Sequence, residues 1–245
     1  MSFFAAVLLF LSSCNGSESS ADKTSSDSTA TTDTTSTTTT AAEAPAPAST
    51  ISTTPQGMFI TRHKVSNFTK WLAAFEANDS LKLANGLHNY VVGRSAQDSN
   101  MVLVATKADD IAKAKAFAKS PTLKQAMQKS GVIGQPTMML VNAVYQDTAV
   151  LGTDLRSMTT FTVKDWGAWQ KAFAEGRQER LDNGIVERVF GNDPDNDKKV
   201  MLVTAITDTA KASAYWKSDM LKKRRAASGF TSVPDRFVFH VVKRY

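Results

Sequence analysis

Of the three histidines in the 245-residue chain, His63 has the surroundings best suited to chemistry. It closes a β-prone segment, Met58–Lys64, and stands between Arg62 and Lys64. A strand-end imidazole in such company could act as a general base or ligate a haem iron. The more ordinary role, and the one expected first, is that of a partly exposed strand-end histidine bonded to backbone. Tyr90, Arg94 and Asn142 lie in other β-prone stretches, and 98 residues on they are answered by Arg188, Asn192 and His240. Polar character persists there while identity changes, which suits the lining of a cavity and suits drifting surface positions equally well. His63 is therefore the candidate catalytic residue. Arg62, Tyr90, Arg94, Asn142, Arg188 and His240 form the candidate ligand pocket.

Other chemistries find no footing. Three dispersed histidines and one cysteine give no metal-ligand constellation, so no metal is expected. No phosphate-binding glycine loop, nucleophile elbow or dinucleotide fingerprint occurs, and no cofactor is expected from motifs. Lys222-Lys223-Arg224-Arg225 is a basic run within a predicted helix; consecutive helical residues spread around the axis, so a solvated face is the expectation, with no nucleic-acid partner. Trp71 and Trp169 lie on apolar helix stripes and read as core, and His88 reads as a strand surface residue.

The N-terminal quarter belongs to a different regime. Phe3–Leu11 is a short apolar run of signal-peptide size, too short to span a bilayer, and it leads through Leu11-Ser12-Ser13 to Cys14, the chain's one cysteine. This resembles the lipobox of bacterial lipoproteins, with residues 1–13 removed and Cys14 lipidated. No Lys or Arg precedes the apolar run, a departure from the usual signal peptide. From Asn15 to Gln56, 22 of 42 residues are Ser or Thr, too little apolar surface to offset the entropy of ordering, so residues 14–56 read as a lipidated cysteine on a disordered tether. That stretch carries −4 of a net +6, leaving the remainder at +10. The expected location is the cell envelope, lipid-anchored and on the outer membrane.

What must position His63 is a repeated unit. Val65, Trp71, Ala74 and Phe75 return as Val163, Trp169, Ala172 and Phe173, and Asn85-Gly86, Val91 and Gly93 return at the same displacement of 98. A one-residue shift then matches Leu103-Val104 to Leu202-Val203 and Asp109 to Asp208, before the displacement returns to 98 for Ser120, Gly131 and Pro136. Each copy reads strand, helix, strand, strand, helix, strand. Asn67 and Asp165 stand as N-caps, Ser120-Pro121 as a helix start, and the last strands as Thr137–Tyr145 and Arg236–Lys243. The fold class is therefore α+β: two ferredoxin-like βαββαβ repeats, in residues 57–149 and 150–245. Met101–Val104 and Val200–Val203 are unbroken apolar runs, which calls for burial on both sheet faces. The helices cover one face and the second copy the other, giving an intrachain α/β barrel, a pseudo-dimer within a monomeric chain.

Arg62-His63-Lys64-Val65 leading into Trp71, the strand end Val92-Gly93-Arg94-Ser95, and the segment Lys115–Pro121 running on to Gly131–Pro136 resemble the dimeric α/β-barrel group that includes antibiotic-biosynthesis monooxygenases and cyclase-like proteins. That resemblance implies the barrel fold but fixes no activity. Copy two has Thr160 and Phe161 where copy one has Arg62 and His63, which weighs against two active sites. The leading expectation is an envelope lipoprotein with a non-catalytic module that binds a small apolar ligand or a partner. The resemblance implies an alternative, a cofactor-independent monooxygenase or cyclase-like enzyme acting on a small aromatic compound. Haem ligation through His63 is a third.

Overall fold

The computed structural model describes residues 49–245. The expected signal segment, Cys14 and most of the Ser/Thr-rich stretch lie outside the described residues. Copy one consists of β2 (Gln56–Val65), α1 (Phe68–Ala77), α2 (Asp79–Ala84), β3 (Leu87–Ser95), β4 (Met101–Ala108), α3 (Ile111–Ala118), α4 (Pro121–Lys129) and β5 (Val132–Asp147). Copy two follows as β6 (Leu155–Thr162), α5 (Trp166–Glu175), α6 (Arg177–Asp182), β7 (Ile185–Asp193), β8 (Asn196–Ile206), α7 (Thr209–Lys217), α8 (Asp219–Ala227) and β9 (Asp235–Arg244). A two-residue strand β1, Ile51–Ser52, pairs with Asp147 and Gln146 of β5, so part of the expected tether joins the sheet.

Sequence chemistry sets the helix ends. Asn67, Asp110, Ser120, Asp165, Asp208 and Ser218 each accept a hydrogen bond from a first-turn amide, and such caps are worth about 1 kcal/mol apiece. Both copies break their first helix in two, at Asn78 and at Gly176.

The sheet is continuous, with strand order β1-β5-β2-β4-β3-β9-β6-β8-β7, and a further β5–β7 pairing closes it. Each half has the ferredoxin-like order. The halves meet along two seams, β3 against β9 and β5 against β7, so the long strands enclose a barrel and leave no long free edge. Met58, Ile60, Leu103 and Val141 of copy one pack inside with Met158, Val189, Met201 and Phe239 of copy two. The helices cover the outside. In copy one they pack over Phe59, Val65, Leu87, Val92, Val102 and Val104, with Trp71 and Phe117 as the large helix-borne anchors. The unbroken apolar β4 and β8 are explained: one face meets the barrel interior and the other meets helices.

Two sequence expectations need correction. Thr61 pairs with Val104 and Thr159 with Leu202, while the third helix of each copy is capped by Asp110 and by Asp208. The displacement therefore stays at 98 throughout, and the inferred one-residue slip is absent. An apolar run such as Met101–Val104 matches its counterpart in several alignments, so residue identity could not fix the register there. The last strand of copy one also starts earlier than expected, at Val132. Its register with β2 jumps between Arg62–Thr137 and Lys64–Ile133, which leaves Gly134, Gln135 and Pro136 looped out opposite His63. Pro136 has no amide hydrogen for the ladder and Gly134 takes a φ of 71°, so a bulge forms.

Candidate functional site

Side chains alternate along β2. Phe59, Thr61, His63 and Val65 face the helices, and Met58 and Ile60 face the barrel interior. His63 is 3% exposed and lies tilted against Trp71, with ring centroids 5.3 Å apart. Neither Nδ1 nor Nε2 has a hydrogen-bond partner in the protein. Burial pushes its pKa down to about 4, so the ring is neutral throughout the physiological range. A buried polar group without a partner costs about 1–3 kcal/mol. Phe161 fills the same place in copy two, so the fold itself does not require an imidazole.

The space before His63 is a cavity of about 80 Å³ between sheet and helices, several times the ~10–15 Å³ that one water needs. Thr61, Phe75, Lys82, Thr106, Phe117 and Met127 are among its walls. Lys82 is a site residue the sequence reading missed. It is buried at the end of the short α2, donates from Nζ to the Phe75 carbonyl oxygen at 2.9 Å, and lies 3.3 Å over the Phe75 ring. Burial pushes its pKa down to about 8, and the nearby Asp79 carboxylate offsets only part of that effect. The repeat held the signal: Arg180 stands 98 positions on, so a cation recurs at the same place in both copies.

Of the expected pocket residues only Arg62 lines a space with His63, an open cleft of about 660 Å³ at the strand end and not the helix-side cavity. Arg62 points away from its neighbour, bonding Asp235 Oδ2 at 2.8 Å beside the Phe237 ring. Successive strand residues face opposite ways, so adjacency in sequence separates Arg62 from His63. Arg94 donates to the Ser99 carbonyl at 2.7 Å and covers Phe68. His240, opposite Arg94 on one seam, is exposed and bonds Asp154. Asn142 occupies the matching position on the other seam, opposite Asn192. The polar persistence at these four positions marks the two seams of the barrel, where the surfaces remain partly exposed. Tyr90 and Arg188 do share a space, a void of about 60 Å³ inside the barrel, but there Arg188 is paired with Asp147 at 3.2 Å and bonded to the Ala149 carbonyl. His88 is exposed beside Asp109, as expected, and Trp71 and Trp169 are buried.

Haem does not fit this site. Axial ligation needs a nitrogen open to a flat macrocycle, and both nitrogens of His63 are buried; the open cleft of about 660 Å³ that His63 borders together with Arg62 and Lys64 does not reach them. Among the described residues no group of three or more His, Cys, Asp or Glu side chains could hold a metal ion.

No family model matches the chain, and no curated protein matches it by sequence. Solved structures do match in fold. An anthrone oxidase-like protein superposes with a TM-score of 0.54 at 12% identity, covering 78% of this chain and 92% of its own. A candidate monooxygenase of Fusobacterium nucleatum gives 0.52 at 13% identity, covering 77% and 93%. A candidate chlorite dismutase gives 0.52 at 13%, covering 78% and 96%. The fold is thus that of the ferredoxin-like dimeric α/β barrels, here with both halves on one chain.

Proposed function

We propose that the chain binds a small aromatic compound in the cavity of copy one, and that His63 takes a proton from it as the opening step of a cofactor-independent oxygenation. The observation that carries this reading is a neutral, buried imidazole, neither nitrogen of which has a hydrogen-bond partner, on the wall of an apolar cavity. A pKa of about 4 leaves the base form fully populated at neutral pH. The anion formed by proton transfer supplies the countercharge that the resulting imidazolium lacks in the empty cavity. A cavity of ~150 Å³ holds benzene, so Phe75, Phe117 and Met127 must move aside to admit a substrate ring to this space of about 80 Å³. Similarity of fold to an anthrone oxidase-like protein and to candidate monooxygenases supports this class over the non-catalytic module expected from sequence.

The test is aerobic turnover of anthrone, which with O₂ gives anthraquinone and water, followed by absorbance and oxygen uptake. Replacing His63 with Phe should cost roughly 10²–10⁴-fold in rate, the usual contribution of a positioned general base. Equal rates in both proteins would end the oxygenase reading. Tight anthrone binding without turnover would return the chain to a non-catalytic binding role.

Membrane attachment is a separate part of the proposal. Its support is the apolar run ending in Leu11-Ser12-Ser13-Cys14 and the Ser/Thr-rich segment after it. Among the described residues no helix is long and apolar enough to cross a membrane. The reading assigns attachment to acyl chains on Cys14, which holds the barrel at the outer membrane. Radiolabelled palmitate should enter the wild-type chain and not Cys14→Ala; incorporation into both would remove the anchor.

A further inference from the structure

The space that His63 faces in copy one has a counterpart in copy two with a different electrostatic character. Nearly every lining residue recurs 98 positions on: Thr61 as Thr159, Trp71 as Trp169, Lys82 as Arg180, Ser130 as Ser228. The two cavities are of the same size, about 80 Å³ each. Three positions change in one direction. Ala126, Met127 and Met138 of copy one are Arg224, Arg225 and Arg236 in copy two, and all three arginines line the cavity.

Charge balance separates these arginines. Arg180 is ion-paired with Glu187, and Arg224 with Glu179, whose other oxygen accepts from the Tyr215 hydroxyl at 2.6 Å. Arg225 and Arg236 have no carboxylate partner among the described residues. The Arg236 guanidinium carbon lies 4.0 Å from the centre of the Trp216 ring, and its Nε is buried and unbonded. Burial, then repulsion from Arg225, pushes the Arg236 pKa down to about 10, and burial lowers Arg225 as well. Two neighbouring, half-buried guanidinium groups without a counterion repel each other, and an anion between them relieves that repulsion. The arginines at the end of the barrel interior differ, because Arg156 and Arg188 have protein acceptors for their bonds. Phe161, Trp169, Phe173, Trp216 and Phe230 supply aromatic walls, beside aliphatic and hydroxyl side chains such as Leu202 and Thr204.

We propose that this second cavity binds a small aromatic carboxylate, with its ring among Phe161, Trp169 and Trp216 and its carboxylate on Arg225 and Arg236. A guanidinium fork matches a carboxylate in geometry and charge, and the aromatic walls favour an organic anion over an inorganic one. Duplication then yields two sites with divided tasks, a cavity with a base and one lysine, and a cavity with four arginines and no base. The inference does not rest on the reading of His63.

The experiment is titration of the purified full chain with phenylacetate, phenylacetamide and inorganic phosphate at pH 7, by calorimetry and by the indole N–H resonances of the tryptophans. Phenylacetate should bind at least tenfold more tightly than the other two, and should move the Trp216 and Trp169 signals but not that of Trp71. Arg225→Met with Arg236→Met, which installs the copy-one residues, should abolish binding. That variant should melt no lower than wild type, because it removes two half-buried charges that have no carboxylate partner. Equal affinity for acid and amide, equal affinity for phosphate, shifts confined to Trp71, or unchanged binding by the double variant would each overturn the proposal.

Discussion

His63 and Phe161 occupy the same place in the two halves of the barrel. His63 lies 5.3 Å from Trp71 at an interplanar angle of 58°, and Phe161 lies 5.5 Å from Trp169 at 55°. One protein thus carries its own control, an imidazole and a phenyl ring in nearly superposable settings.

Replacing His63 with Phe should therefore stabilise the protein while removing its function. At pH 7 the gain should be about 1–2 kcal/mol, from no longer burying two unpaired nitrogens. The pH dependence has a definite sign. The folded pKa of about 4 lies below the ordinary 6.5, so as pH falls from 6.5 to 4 the unfolded chain takes up a proton that the folded one refuses. Wild type should lose about 3 kcal/mol relative to the variant across that window. Urea unfolding at stepped pH measures both effects; parallel curves would show that His63 is not held neutral.

Lys82 should reveal itself at the alkaline end. Its folded pKa of about 8 lies below the ordinary 10.5, so between those values the unfolded chain binds the extra proton and folding stability rises with pH. Wild type should gain stability relative to Lys82→Met from pH 8 to 10.5. A constant difference between the two melting curves would contradict the placement of the amine.

Arg62 sits next to His63 in sequence but not in the site. Its ion pair with Asp235 is partly exposed, and such pairs are worth about 0–1 kcal/mol. Arg62→Ala should leave anthrone turnover within twofold of wild type and stability nearly unchanged. A loss as deep as that of His63→Phe would place the guanidinium in the reaction after all.

The two seams respond differently to one added methyl group. A Cβ at Gly191 would stand 2.2 Å from the Asn142 carbonyl oxygen and 2.7 Å from the Ala143 Cα, both backbone atoms of β5. At the equivalent Gly93 it would meet the Phe239 ring at 2.3 Å. A ring can turn aside and a paired strand cannot, so Gly191→Ala should cost more than Gly93→Ala, which belongs to the usual overpacking range of about 1–3 kcal/mol. Denaturant midpoints for the pair decide the order.

Periodicity and repetition in the sequence determined most of the frame. The apolar stripe of Phe68, Trp71, Leu72 and Phe75, the caps at Asn67 and Asp165, and the repeated Asn-Gly pairs are local signals, and each element they mark is present. Duplication, with two-faced apolar strands, was enough to imply a barrel closed within one chain. His63 was legible as a residue type, because a lone imidazole at a strand end invites the question of its use.

Tertiary structure alone decided who shares the site. Arg62 and His63 are adjacent, yet the strand pleat admits only His63 to the helix-side cavity, and the two share no more than the open cleft at the strand end. Arg94 and His240 are 146 positions apart, yet the seam sets them opposite each other. The slip inferred at Leu103-Val104 vanished because hydrogen-bond register, unlike residue identity, is not degenerate in an apolar run. Likewise Lys222 and Lys223 are exposed while Arg224 and Arg225 turn inward. Packing of α8 against its neighbours divides that basic run, and side-chain types in sequence carry no record of which way such a helix will roll.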